Sequence, residues 1–150
     1  MAAFNKFNQF VANIGLELYE LNTDSLYLIL TNTSPNAADT VYNHTAAQVQ
    51  STSNAAELTT GNGYTQGGAQ AASNAYSQSS GLATLTANSV VWTASGGSIG
   101  PFRYIVMYDI TTGTVTTRPL IGWWDYGSAL TLTTGNTFTV TFASGVLTIQ

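Results

Sequence analysis

The sequence contains no cysteine, three lysines and arginines in total, three prolines and a single histidine. Without cysteine there is no disulfide framework, no thiolate nucleophile and no cysteine-ligated metal. No run of about 18 or more apolar residues occurs, so we expect no membrane-spanning helix. Phosphate binding requires clustered cationic side chains. Because the cationic residues are scattered and the net charge is -4, we expect no nucleic-acid partner.

Charged residues make up only 7% of the 150 residues, against roughly 25% in an average globular domain. Neutral polar residues and glycine take their place. Two interpretations stay open. The chain is either a protein that lives in contact with copies of itself or with other proteins, or a β-rich protein with long polar loops. Its length favours one domain spanning residues 1–150.

The aromatic stretch from Gly96 to Gly127 predicts the centre of the fold. It is typical of two antiparallel strands, Phe102–Asp109 and about Arg118–Tyr126, because aromatic and β-branched residues suit a pleated surface. Alternation places the side chains of the first strand on two faces. One set is Phe102, Tyr104, Val106 and Tyr108, and the other is Arg103, Ile105, Met107 and Asp109. Both sets are largely apolar, which predicts a central strand covered on both sides.

The N-terminal segment predicts a helix. Apolar residues recur at steps of three and four from Phe4 to Leu21, and Gly15 favours an end near Leu16. The stripe consists of Phe4, Phe7, Val11, Ile14, Leu18 and Leu21. It either covers one face of the chain's own sheet or docks as an arm on a neighbouring subunit. We therefore divide the domain into a helix or arm at 1–22 and a β sandwich at 23–150.

The rest of the chain predicts strands joined by turns. The strongest candidates are Ser25–Thr31, Glu57–Thr60, Leu82–Thr86, Val90–Trp92, Ala129–Thr133, Thr137–Phe142 and Val146–Ile149. Ala46–Val49 fits a short strand or a helical turn, and Ala69–Ser80 fits an exposed loop or edge strand. The predicted fold class is mainly β, an antiparallel sandwich or jelly-roll-like barrel with a short N-terminal helix.

Little in the sequence points to catalysis. His44 is the only histidine, and no G-x-S-x-G motif presents a serine nucleophile to it. Asp109 and Asp125 could form a glycosidase pair, but an ion pair of Asp125 with Arg103 or Arg118 is favoured. The glycines of Gly61–Gly68 indicate a wide turn or a close backbone approach rather than a phosphate loop. We expect no enzymatic activity, no metal and no cofactor.

The aromatic and cationic residues of the hairpin favour packing or protein contacts. Adjacent tryptophans on a strand point to opposite faces, so one of Trp123 and Trp124 is expected in the core. Tyr, Trp and Arg are the residues that most often anchor interfaces, and an exposed aromatic face could also stack on a sugar. The candidate interface residues are Phe4, Phe7, Arg103, Arg118, Trp123, Trp124 and Tyr126.

Several motifs together resemble a group of small tailed-bacteriophage virion proteins. They are GNGYTQGG, WTASGGSIGPFRYIVMYD and PLIGWWDYG, with the opening MAAFNKFNQFV and the strand LYLILTNTSP. The resemblance covers most of the chain, although Ala37–Glu57 matches poorly. It implies a short helix followed by an all-β domain with no enzymatic residues.

The resemblance implies a structural part of the particle, a capsid decoration (cement) protein of the jelly-roll type. The implied partners are the major capsid protein and copies of the chain itself, as a dimer or trimer. The implied location is the capsid surface of a virion assembled in the host cytoplasm. The alternative is a structural or glycan-binding module of the tail or tail fibre.

Overall fold

The computed structural model describes residues 3–142 and 145–149. The described chain is mainly β, with antiparallel strands and one short helix, as the sequence predicts. The helix is α1 (Asn8–Gly15). The strands are β1 (Phe4–Lys6), β2 (Leu26–Thr31), β3 (Val41–Asn43), β4 (Gln48–Gln50), β5 (Ala55–Ala56), β6 (Ala69–Gln70), β7 (Ala75–Ser79), β8 (Leu82–Thr86), β9 (Val90–Thr93), β10 (Ile99–Asp109), β11 (Arg118–Leu132), β12 (Thr137–Val140) and β13 (Leu147–Ile149).

These strands form three antiparallel sheets. The largest contains eight strands, seven of them in the order β5-β4-β3-β11-β10-β2-β6. The eighth, β1, pairs with β11 at Gly122–Trp124, further along the strand than the Arg118–Pro119 stretch that pairs with β3. β12 and β9 form a two-stranded sheet, and β13, β8 and β7 form the third. Within the described ranges no sheet closes into a barrel.

Two clusters of buried side chains hold the sheets together. The main core gathers residues of all three sheets, among them Leu28, Leu85, Trp92, Phe102, Ile105 and Met107. The second core is smaller and consists of Phe7, Ile29, Tyr42, Val49, Ala55, Val106, Tyr108 and Leu120. Because Ile105 and Met107 enter one cluster and Val106 and Tyr108 the other, β10 is covered on both faces, which confirms the sequence prediction.

The central hairpin differs from the prediction in one respect. β11 runs past Tyr126 to Leu132, so Ala129–Thr133 is not a separate strand. The register with β10 shifts between Phe102 and Tyr104, and Gly127 lies in the extra residues of β11 at a φ of +98°. A bulge of this kind changes the face of the sheet to which the neighbouring side chains point. Phe102 therefore packs in the main core, although simple alternation predicts it beside Val106.

The N-terminal helix is shorter than predicted. Phe4–Lys6 is the strand β1, and the helix begins only at Asn8. The prediction that the apolar stripe packs on a protein surface is also wrong in part, because Val11 is 53% and Leu18 is 39% exposed. The predicted end near Leu16 is confirmed. An isolated segment this short is marginal as a helix, so pairing with β11 decides its conformation.

Other local predictions have mixed outcomes. β2, β8 and β9 lie where the sequence predicts them. Glu57 forms only an isolated bridge with Thr31, so Glu57–Thr60 is not a strand. The ambiguous region Ala46–Val49 overlaps β4, which pairs with β3 and β5. These strands have two or three residues each, too few for a visible alternation.

Candidate functional site

The N-terminal aromatic residues dock on the chain's own sheet. Phe7 is fully buried, with its ring centroid 4.6 Å from that of Trp123. The ring centroid of Phe4 lies 5.3 Å from that of Trp124, and Trp124 is only 5% exposed. The segment thus covers its own sheet rather than extending as a free arm. Phe7 and Trp124, two of the candidate interface residues, are buried in the hydrophobic cores.

Gly122 makes this docking possible. A Cβ at position 122 would lie 2.2 Å from Cε2 of Phe4 and 2.6 Å from the backbone oxygen of Asn5. Neither distance is tolerable for a real side chain. The glycine therefore opens a socket in β11 into which the Phe4 ring fits.

The two arginines have different surroundings. Arg103 Nε and Nη2 donate to the two carboxylate oxygens of Asp125 at 2.7 and 2.8 Å. This bidentate pair is more than a third exposed, and Arg103 holds the pKa of Asp125 below its usual range. Arg118 instead lies half-buried, with Nη1 3.5 Å from the hydroxyl of Tyr108. Of the two pairings that the sequence allows for Asp125, the structure contains the one with Arg103.

The carboxylates Asp109 and Asp125 do not form a glycosidase pair. Asp125 lies opposite Tyr104, five residues from Asp109 along β10. Five residues of strand span about 16 Å, whereas a glycosidase pair lies about 5 to 10 Å apart. Asp109 is also fully buried.

An apolar groove of about 210 Å³ lies beside β12. Ile105, Trp124 and Tyr126 line it on the hairpin side, and residues Phe138 to Phe142 line it on the other. Tyr126 is 51% exposed and packs edge-on against Phe138 at 5.8 Å. Of the seven candidate interface residues, Tyr126 is the one with the most accessible aromatic ring.

The most elaborate polar site surrounds Glu57, which is 6% exposed. Its carboxylate accepts hydrogen bonds from the Tyr42 hydroxyl, from the Tyr64 hydroxyl at 2.5 Å and from the Gly67 N–H at 2.7 Å. The Tyr64 hydroxyl in turn accepts from the Leu30 N–H at 3.1 Å. We call Glu57, Tyr42, Tyr64 and Gly67 the Glu57 cluster.

Neighbouring groups extend the Glu57 cluster toward the surface. The Tyr108 hydroxyl donates to the Gly67 carbonyl at 2.8 Å, and Nδ1 of His44 lies 3.4 Å from the Tyr42 hydroxyl. Gly67 has a φ of +93°, and a Cβ there would lie 2.9 Å from Cε1 of His44. The predicted close backbone approach in Gly61–Gly68 is thus confirmed at this residue, where the close neighbour is the His44 ring.

Burial controls the protonation of the Glu57 cluster. It raises the pKa of Glu57, although the hydrogen bonds from Tyr42, Tyr64 and Gly67 oppose the shift. Burial and the Glu57 charge raise the pKa values of Tyr42 and Tyr64 far above their ordinary range. Burial and the Arg118 charge lower the pKa of His44. Since the carboxylate is closed to solvent, the arrangement stabilises the fold and does not present a reactive group to a substrate.

The sequence patterns do not predict the Glu57 cluster. Its donors come from Tyr42 in β3 and from Tyr64 and Gly67 in the stretch Gly61–Gly68, and only the folded topology brings these two segments together at Glu57. The available signal was a lone glutamate between apolar residues, followed by a tyrosine among glycines.

A second buried acidic site lies where β2 and β10 meet. Asp109 Oδ1 accepts from the Thr111 N–H at 2.7 Å, whereas its buried Oδ2 has no partner among the described residues. Asp24 accepts from the Glu20 N–H at 2.6 Å. Burial raises the pKa of Asp24, and the neighbouring Asp109 carboxylate raises it further. The two acids therefore repel each other unless one carries a proton.

Comparison of the chain with protein-family models, curated proteins and solved structures finds no match. Within residues 3–142 and 145–149, no group of three His, Cys, Asp or Glu side chains could hold a metal ion. No described helix is both long enough and apolar enough to cross a membrane. The fold itself gives the class, a mainly β protein with antiparallel sheets.

Proposed function

We propose that this chain is a structural protein of a tailed-bacteriophage virion and decorates the capsid. In this role it stabilises the head by binding across subunits of the major capsid protein, at the outer surface of a particle assembled in the host cytoplasm. Its partners are the major capsid protein and copies of itself. The proposal includes no catalytic step.

The observation that carries the proposal is the distribution of charge. Residues 58–102 and 126–150 contain no Lys, Arg, His, Asp or Glu. Strands β7, β8, β9, β12 and β13 belong to these stretches, so both smaller sheets are free of charged side chains. A protein that covers a repeating lattice needs many neutral contacts of defined shape and little repulsion between neighbouring copies. The phage-like motifs of the sequence support the same role.

We propose further that the sheets pack as a sandwich of the jelly-roll type. The support is the main core, to which Leu28 of the large sheet, Leu85 of the three-stranded sheet and Trp92 of the two-stranded sheet all contribute. Nuclear Overhauser contacts between core side chains of the large sheet and core side chains of the two smaller sheets would test this packing. The absence of any such contacts between sheets would contradict it.

The test of capsid decoration is the copy number in purified particles of the phage that encodes the chain. We expect many copies in a fixed ratio to the major capsid protein, and density for the chain on the shell in a cryo-EM map. A few copies confined to the tail would reject the capsid placement and support the second candidate below.

The second candidate is a tail or tail-fibre module that binds glycans, favoured by the groove beside β12 with its exposed Tyr126 ring. Aromatic faces on a β scaffold can stack on sugars. This candidate predicts hits on a glycan array that Tyr126→Ala removes while Val115→Ala, a change at a 47% exposed residue outside the groove lining, retains them. An array without hits would reject it.

A further inference from the structure

We propose that β12 is a pairing edge at which two copies of this chain join through a two-fold axis, β12 against β12. This inference goes beyond the proposed function, because it names the contacting strand and holds for the isolated protein without a capsid. It rests on the free edge of β12, on the neutrality of its surroundings and on the pattern of its residues.

The outer edge of β12 is unpaired in the described chain. β12 pairs only with β9. The Ala94 N–H donates to the Asn136 carbonyl at 3.0 Å, and the alternation counted from this bond directs the backbone N–H and C=O of Thr139 away from β9. No other described residue bonds to the backbone of Thr137–Thr141 from that side. An exposed backbone edge is a template for another strand.

The free edges of the eight-stranded and three-stranded sheets carry protection that β12 lacks. At β7 the side chain of Asn22 accepts from the Tyr76 N–H at 3.1 Å. β13 shares a groove with the cationic Lys6. β5 and β6 have two residues each. Short strands, charges and covering groups are the usual means by which proteins block edge pairing. β12 has four residues, twice the length of β5 or β6, and it has neither a charge nor a covering hydrogen bond among the described residues.

The sequence of β12 is complementary to itself. In an antiparallel pair centred on Thr139, Thr137 faces Thr141 of the second copy and Phe138 faces Val140. Thr–Thr and aromatic–β-branched pairs are both favourable across strands. Two copies of net charge -4 repel each other overall, but this edge carries no ionisable group except the nearby Tyr126. An isologous contact of this kind closes after two copies.

The groove beside β12 accommodates the apolar side chains of the second strand. Its walls include Trp124, Tyr126 and Phe138, and its volume is about 210 Å³. Strand addition with side chains in an adjacent groove is a common form of recognition. The main-chain hydrogen bonds and the filled groove act together, which favours a second copy over an unspecific contact.

The test is the mass of the isolated protein by sedimentation velocity across the micromolar range, with Thr139→Lys as the variant. The wild type is expected at twice the monomer mass of 15.8 kDa. Thr139→Lys places like charges opposite each other and raises the dimer dissociation constant about tenfold or more. The matched control Ser77→Lys, on the protected edge of β7, leaves the dimer intact.

A wild type that remains monomeric, forms a closed trimer, or keeps its mass in Thr139→Lys overturns the proposal. Hydrogen exchange of the wild type provides a second measurement if Thr139→Lys fails to fold. The Thr139 amide is expected to be protected at high concentration and to lose that protection on dilution. Protection that is independent of concentration, or absent throughout, would also overturn the proposal.

Discussion

At the scale of single residues, the Glu57 cluster shows how a buried charge is kept in a mainly β interior. Burying an unpaired carboxylate is very unfavourable. Here hydrogen bonds from two tyrosine hydroxyls and one backbone N–H offset the cost of burying the carboxylate. Because every donor is itself fixed by the fold, the loss of one leaves a polar atom that water cannot reach.

Tyr64→Phe is expected to lower the free energy of unfolding by about 1.5 to 3 kcal/mol, the usual contribution of a hydrogen bond to a charged group. It removes a donor to Glu57 and the acceptor of the Leu30 N–H. Urea denaturation would measure the change. Tyr126→Phe is the control, since the Tyr126 side chain is exposed. Equal free energies of unfolding for Tyr64→Phe and Tyr126→Phe would show that the hydrogen bond from Tyr64 to Glu57 does not stabilise the fold.

Asp109→Asn is expected to stabilise the protein by about 1 kcal/mol at pH 7. Its amide can donate to Asp24, whose raised pKa reflects repulsion by Asp109 as well as burial. Because the pKa of Asp24 is raised in the folded state, the contribution of Asp24 to the free energy of unfolding is fully present below its ordinary pKa. That contribution is lost as the pH rises through the pKa of the folded state. The gain should therefore be larger at pH 7 than at pH 3. A gain that does not change with pH would argue against a repelling pair.

At the scale of elements, sequence patterns predict the long strands and miss the short ones. β2, β8 and β10 are long enough to show aromatic and β-branched patterning, and the Arg103–Asp125 pair follows from adjacent strands of one hairpin. β3, β4 and β5 are two or three residues long and paired mainly with each other. Nothing local distinguishes them from loop, so only tertiary pairing defines them.

The N-terminal segment illustrates a second limit of sequence patterns. The spacing of its apolar residues fits a helix, yet Phe4–Lys6 is extended, because Phe4 gains the socket at Gly122 and contact with Trp124. The periodicity is real, but the contacts that overrule it lie more than a hundred residues away along the chain. Tertiary packing decides between two local structures of similar stability.

Gly122→Ala is expected to detach β1 and to destabilise the protein by about 1 to 3 kcal/mol, the usual cost of overpacking. The new Cβ would meet both the Phe4 ring and the Asn5 backbone. Hydrogen exchange at the Asn5 and Trp123 amides would report the loss of pairing. The same substitution at Gly15 provides the control, because a Cβ there meets nothing within 4 Å. Unchanged exchange in Gly122→Ala would show that β1 does not need the socket.

At the scale of the whole molecule, exposed charges contribute little to the stability of this chain. Arg103–Asp125 is the one salt bridge of the described residues, and it is exposed. Exposed pairs contribute little and are screened by salt. Stability comes instead from the two cores and from hydrogen bonds, those to the buried Glu57 carboxylate among them. The conformation should therefore be insensitive to ionic strength.

The midpoint of urea unfolding is expected to stay constant between about 0.05 M and about 0.5 M NaCl, a range over which the screening length falls several-fold. Circular dichroism at fixed pH would measure it. Asp125→Asn serves as a comparison, since removing the exposed pair should leave the midpoint and its salt response nearly unchanged. A midpoint that moves strongly with salt would reveal a charge network that the described contacts do not contain.

The positions of the three cationic residues have a practical consequence for detecting this protein by mass spectrometry. Lys6 lies in β1 and Arg103 in β10, while Arg118 directly precedes Pro119 in β11. Trypsin cleaves poorly before proline, so cleavage of the unfolded chain after Lys6 and Arg103 leaves one six-residue peptide and two very long ones. Proteomic surveys based on tryptic digestion would undercount the protein, whereas chymotrypsin, with many aromatic sites available, would recover it.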